Sequence, residues 1–216
     1  YVSGSGTTVI FFTYTIQLGD NSSDLEYLAT TSLALNGGAI KDSTFNNASL
    51  VLPALSNTSS LGVNKNIVID TTLPKIASSS LGTNNSFVDI IFSEPVYSKV
   101  GSGPLVPSDL QLIFAANAGN VSGASILSLE TTSGAPLVGG ETLIRIKIKV
   151  VGLASGVETI IIRPTINNIY DIAGNTMLNS ESTSVITLVS QGTLPVISKV
   201  YVVEPDGLYG IGKQLT

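Results

Sequence analysis

ETLIRIKIKV, residues 141 to 150, alternates apolar with polar side chains, so that Ile144, Ile146, Ile148 and Val150 share one face and Arg145, Lys147 and Lys149 the other. Period two belongs to extended chain, in which successive side chains point to opposite sides of a sheet. The stretch is expected to be a half-buried strand. Its basic stripe reads as a solvated face that also discourages edge pairing.

The same pattern recurs through the chain. GTTVIFFTYTIQ (6–17) sets Ile10, Phe12, Tyr14 and Ile16 on one face. Shorter β-rich runs follow: SLALN, SLVLP, NIVID, SFVDIIFSEPV, LQLIFAA, ASILSLE, ETIIIRPTI, TSVITLV and PVISKVYVV, separated by clusters of Gly, Asn, Ser and Pro. Short strands at regular spacing with turn punctuation predict an all-β fold built as an antiparallel sandwich.

Composition narrows the chemistry. The 216 residues contain no Cys, His or Trp, which removes thiol and Ser/His nucleophile systems, ordinary zinc sites and redox thiols. Charged residues are 12% of the chain and the net charge is −5, too little positive charge for a phosphate backbone, so nucleic acid is not an expected partner. No apolar run approaches the roughly 20 residues of a membrane-crossing helix. So low a charge density suits a chain that covers part of its surface with neighbours. Tyr1 stands where an initiator methionine would, and a processed product or a piece of a longer protein is expected.

Comparing the chain with itself gives its organisation. NIVIDTTLPKI (66–76) matches VITLVSQGTLPVI (185–197), and Pro195 lies 121 residues after Pro74, the length of one sandwich with generous loops. LNGGAIKDSTFNN (35–47) is a degenerate copy of INNIYDIAGNT (166–176), with Asp42 at the place of Asp171 and Asn46 at that of Asn175. The expected division is residues 1–70 as the C-terminal part of one repeat, 71–74 as a linker, and 75–189 as a complete sandwich. A second linker, 190–195, leads to 196–216, read as the first strand and turn of a further repeat or as a strand donated to a neighbouring subunit.

IDTTLPKI, FSEPV, YDIAGNTM, GDNSSDLEY, LNGGAIKD and DGLYGIGKQL resemble the turns and linkers of bacterial immunoglobulin-like repeats, called cadherin-like in some surface proteins. The resemblance implies tandem immunoglobulin-like Greek-key β-sandwiches. It further implies an extracellular or cell-surface location, a spacer or adhesive role, and stiffening by calcium.

Tracing strands through a seven-stranded Greek key brings Asp171 to the same end of the domain as Glu94, at the close of SFVDIIFSEPV, and the linker residue Asp70. Three carboxylates gathered together repel unless a hard cation joins them, and calcium takes several carboxylate, amide and backbone oxygens at once. Asp70, Glu94, Asp171 and Asn175 are the candidate calcium ligands. Asp171 in D-x-A-G-N also suits an Asx-type turn that bonds backbone amides, with Gly174 and Asn175 adopting positive φ. The second linker, SQGTLP, lacks the aspartate of DTTLP, and the first loop has Phe45 at the place of Gly174, so calcium is expected at the Asp70 junction. GDNSSDLEY (19–27) offers Asp20, Asp24 and Glu26 without the glycine and terminal glutamate spacing of an EF-hand. Its Tyr27 suits a corner between sheets, with the hydroxyl capping backbone.

The expected role is a structural module of an extracellular filament or surface rod. Its partners would be copies of itself or adjacent immunoglobulin-like domains, joined within a chain or head to tail by strand complementation. An adhesin module holding a glycan or host protein is the alternative, although no aromatic cluster or charged pocket marks such a site. Paired acids can hydrolyse glycosidic bonds, but here they sit in turns without aromatic surface to stack a sugar, and no enzyme is expected.

Overall fold

The computed structural model of the chain describes residues 1–192, 199, 203–205 and 207–214. Its regular strands fall in one region, in the order β1 (Ile76–Leu81), β2 (Phe87–Val96), β3 (Leu110–Ala115), β4 (Gly123–Glu130), β5 (Glu141–Val151), β6 (Thr159–Pro164) and β7 (Ile186–Thr187). They form two antiparallel sheets, β1-β2-β5-β4 and β3-β6-β7. The described residues are thus almost free of helix, apart from one turn at Leu61–Asn64 and two short 3₁₀ turns.

Strand β5 is the alternating stretch ETLIRIKIKV with one added valine. Ile144 and Ile146 are completely buried and Ile148 nearly so. They pack with Val88, Ile90 and Phe92 of β2 and with Leu110, Ile160 and Ile162 of β3 and β6, which carry the same period-two pattern on the other sheet. Apolar burial of this kind contributes about 1.5–3 kcal/mol per large side chain and is the main force holding the two sheets together.

Being bonded to β2 on one side and β4 on the other, β5 is a central strand, so its basic residues do not protect an edge as the sequence suggested. Arg145 instead makes a bidentate pair with Asp89 on β2, with Nε and Nη2 each 2.8 Å from a carboxylate oxygen. Its guanidinium lies 3.7 Å from the centroid of the Phe87 ring. A cross-strand charge pair stacked on an aromatic face stabilises the outer surface of the sheet, if modestly at this exposure.

The turn between β1 and β2 is fastened to the opposite sheet. Asn84 and Asn85 adopt left-handed conformations, φ 55° and 53°. Asn85, buried, donates through Nδ2 to the Val189 carbonyl and accepts from the Val189 amide, both at 2.8 Å. One amide side chain thereby replaces a missing ladder rung after β7.

Residues 1–70 depart from the sequence expectation. The runs 6–17, SLALN, SLVLP and NIVID form no regular strand; among the described residues their backbone contacts are isolated bridges, such as Ser3 with Phe11 and Ser22 with Ile69, and single hydrogen bonds, such as Leu52 to the Thr30 carbonyl. Phe12, Tyr14 and Ile16 stay more than half exposed. An alternating pattern records a face meant for burial, but a strand needs a neighbour to take its amides and carbonyls. TSVITLV is likewise reduced to the two residues of β7. PVISKVYVV lies largely outside the described residues.

Candidate functional site

Asp171 follows β6 in a loop whose geometry is set by its own side chain. Asp171 Oδ1 accepts the Asn175 amide at 2.8 Å, and Oδ2 accepts Asn175 Nδ2 at 2.7 Å. The Asp171 amide donates to the Asn175 carbonyl at 3.0 Å, and Met177 donates to the Ile169 carbonyl at 2.9 Å. Between them Gly174 takes φ +94°, where a Cβ would come 3.0 Å from Val100 Cγ1. Gly is favoured at that position by both its positive φ and the closeness of Val100.

Glu94 comes from β2. The β2–β5 register breaks between Ile91 and Val96, where Pro95 has no amide hydrogen to give the ladder. Glu94 therefore sits in an irregularity of the kind that re-aims side chains at sheet ends. The linker brings the third acid. Asp70 Oδ1 accepts the Thr72 amide at 2.9 Å, an Asx turn, while the Asp70 carbonyl accepts Asn175 Nδ2 at 3.0 Å. The Lys75 and Ser93 backbones and the Ser93 hydroxyl then fasten the start of the domain to β2.

The structure thus places one carboxylate oxygen of each of Asp70, Glu94 and Asp171 within 4.8 Å of the others. Asp171 is fully buried and the other two half-buried. Burial first, and then the negative charges of Asp171 and Asp70, push the Glu94 carboxyl above its usual range. Oxygens 2.3–2.6 Å from a calcium ion lie up to about 5 Å from each other, so this spacing suits one hard cation. The donor set is all oxygen, which suits hard cations such as calcium, magnesium or manganese rather than soft metals. Asn175, the fourth candidate, turns its amide nitrogen to Asp171 and Asp70 and so braces both aspartates rather than presenting an oxygen to the cluster.

The loop at Asp42 is the same device. Asp42 Oδ1 accepts the Asn46 amide at 2.9 Å, Oδ2 accepts Asn46 Nδ2 at 2.9 Å, the Asp42 amide donates to the Asn46 carbonyl, and Ala48 donates to the Ile40 carbonyl. Each bond has its counterpart at the same offset around Asp171. Hydrogen bonds from Asn46, side chain first, and from Thr44 hold the Asp42 carboxyl down at about 2. Phe45 takes φ +69° at the place of Gly174 and is largely exposed. Asp42 belongs to no cluster of three acids among the described residues.

Two of the acids of GDNSSDLEY, Asp20 and Glu26, accept backbone amides. Glu26 accepts the amides of Leu61 and Gly62, and Asp20 accepts the Gln17 amide and the Tyr14 hydroxyl. The Tyr27 hydroxyl donates to the Pro53 carbonyl, the backbone cap read from the sequence, although no strands flank it to make a corner between sheets.

Sequence reasoning missed Glu158, at the start of the ETIIIRP strand. Fully buried, it accepts the amides of Asn120, Val121, Ser155, Gly156 and Val157 and the Ser155 hydroxyl. Burial alone would raise its pKa, but these donors prevail and hold it at about 2. The signal was the tight turn A-S-G before V-E, which supplies a nest of converging amides.

Among the described residues no helix is long and apolar enough to cross a membrane. No protein-family model, no curated protein and no solved structure matches this chain.

Proposed function

We propose that this chain is a structural segment of an extracellular bacterial rod or filament made of tandem immunoglobulin-like sandwiches, with a calcium ion joining linker to domain at Asp70, Glu94 and Asp171. The strand order β1-β2-β5-β4 against β3-β6-β7 is the order A-B-E-D against C-F-G of a constant-type immunoglobulin domain, which supports the Greek-key reading. The observation that carries the proposal is the pair of matching hydrogen-bonded loops at Asp42 and Asp171, one on each side of the linker. A repeated loop signals a repeated unit. Among the described residues only the second loop joins a cluster of three acids, and one of them, Asp70, immediately precedes the linker.

In this reading calcium stiffens the array. Without the ion, three carboxylates at the junction repel, and Asp70 keeps the contact of its carbonyl with Asn175. With it, Asp70 is tied to two elements of the following sandwich. The acids that the described residues gather lie where the linker meets the sandwich. Small-angle scattering of the chain in calcium and in chelator tests this: calcium is expected to lengthen and narrow the distance distribution. Identical curves in both would overturn it.

A further inference from the structure

We propose that Asn36-Gly37 is a site of spontaneous covalent modification, at which the chain converts its own asparagine through a cyclic imide to isoaspartate, with water as the co-reactant. Of the asparagines in the sequence only Asn36 is followed by glycine. Its φ is 46° and that of Gly37 is 86°, and the Gly38 amide donates to the Leu35 carbonyl at 2.8 Å, so L-N-G-G is a type I′ turn. The turn is exposed and lies outside the regular strands, and a Cβ placed on Gly37 would meet nothing within 4 Å. Neither the Asn36 carboxamide nor the Gly37 amide makes a hydrogen bond among the described residues, so both reacting groups are at liberty to meet.

In the first step hydroxide takes the Gly37 amide proton and the nitrogen attacks Asn36 Cγ. An N–C bond forms, the Cγ–Nδ2 bond breaks, and ammonia leaves with a proton from water, which regenerates the hydroxide. In the second step water adds to one of the two imide carbonyls. Breaking the bond from nitrogen to Cγ gives aspartate; breaking the bond to the main-chain carbonyl carbon gives isoaspartate, with the chain now routed through the side chain. The attack is intramolecular, so its rate is set by how freely the two groups reach each other. Other asparagines are restrained. Asn21 accepts the Thr71 amide while the Ser22 amide is given to Ile69, and Asn85 is bonded to Val189 while the Ser86 amide is given to Thr83. Asn46 and Asn175 are tied by their side-chain nitrogens to Asp42 and Asp171. The product alters its surroundings: isoaspartate inserts a methylene into the backbone between the Leu35 carbonyl and the Gly38 amide, which opens the turn, and adds one negative charge to the net −5. Leu35 and Gly38 line a groove with Ile10, Phe12 and Ile40, so both changes fall at the lip of an apolar surface.

The test incubates the folded chain at mildly alkaline pH and follows each asparagine by peptide mass spectrometry, with isoaspartate distinguished by enzymatic methylation of its carboxylate. Asn36 is expected to convert at least ~10-fold faster than Asn21, Asn85 or Asn175, with more isoaspartate than aspartate formed. Conversion of Asn36 no faster than these three, or to aspartate alone, would overturn the proposal, the second by showing direct hydrolysis without the imide. Gly37→Ala is expected to slow the conversion at least ~10-fold by shielding the nitrogen. Alanine at a φ of 86° also loosens the turn, which by itself would hasten the reaction, so an unchanged or faster rate contradicts the requirement for a bare glycine amide. In the converted chain the Gly38 amide is expected to exchange with solvent at least ~10-fold faster than before, whereas Asn36→Asp, which carries the charge without the extra methylene, keeps the parent rate. Equal exchange in converted and parent chains would refute the opening of the turn. None of these outcomes depends on calcium or on the junction at Asp70.

Discussion

Replacing Glu94 by Gln removes one of three charges while keeping the side chain's shape, and its effect changes sign with calcium. Two unit charges at 4.8 Å repel by about 1 kcal/mol in water and by about 3.5 kcal/mol at the effective dielectric of a protein surface. Glu94 faces two such charges but is half-buried, so solvent screening argues for the lower end, about 1–2 kcal/mol of relief. In chelator at neutral pH, Glu94→Gln is expected to raise the thermal midpoint by about 4–16 °C, at about 4–8 °C per kcal/mol for a domain near 100 residues. In millimolar calcium the parent chain gains and the variant does not, so the order of midpoints reverses. The pH dependence follows the same logic. A carboxyl whose pKa is raised on folding favours the folded state while protonated, and that contribution is lost as pH rises through the raised value. Calcium should abolish that loss. Scanning calorimetry in both buffers between pH 4 and 8 reads all of this. A variant that is equally stable or less stable than the parent in chelator would refute the reasoning, since it would mean the three acids do not repel.

Three further outcomes are expected. Glu158 and Asp42 both have folded pKa values near 2, below their ordinary ranges, so the stability they contribute is complete above about pH 4.5 and is lost as pH falls toward 2; acid unfolding of Glu158→Gln followed by circular dichroism should lack much of this acid limb. Ile144→Ala should cost about 2–5 kcal/mol in urea unfolding and Ile10→Ala less than about 0.5 kcal/mol, because only the first leaves a cavity. Asn85→Ala should cost about 2–4 kcal/mol, the loss of two buried hydrogen bonds together with a non-glycine residue left in a left-handed turn, and Asn85→Gly should recover part of it.

The strands that the sequence displayed most clearly were those whose neighbours lie within the same unit. ETLIRIKIKV, SFVDIIFSEPV, LQLIFAA and ASILSLE became β5, β2, β3 and β4 because each alternating face meets another. GTTVIFFTYTIQ shows the same alternation and forms no strand, since periodicity states which face wants burial and is silent on whether anything arrives to bury it. The position of β5 in the centre of its sheet was also hidden, because a basic stripe looks the same on a central strand's outer face as on an edge.

At the junction, the meeting of Asp70, Glu94 and Asp171 could be traced from strand direction alone, as topology fixes which loops share an end. The role of Asn175 could not, since a side-chain amide offers both an oxygen and a nitrogen and only geometry decides between them. Glu158 escaped notice for a related reason. A carboxylate satisfied by backbone amides leaves no charged partner in the sequence to betray it.

Calcium titration of the chain followed by amide chemical shifts tests the central claim most directly. The account predicts one binding event, with shifts concentrated at Asp70, Thr72, Glu94 and the 171–175 loop, and none at the Asp42 loop. Millimolar calcium that moves no resonance at the junction, or moves those around Asp42 equally, would contradict it.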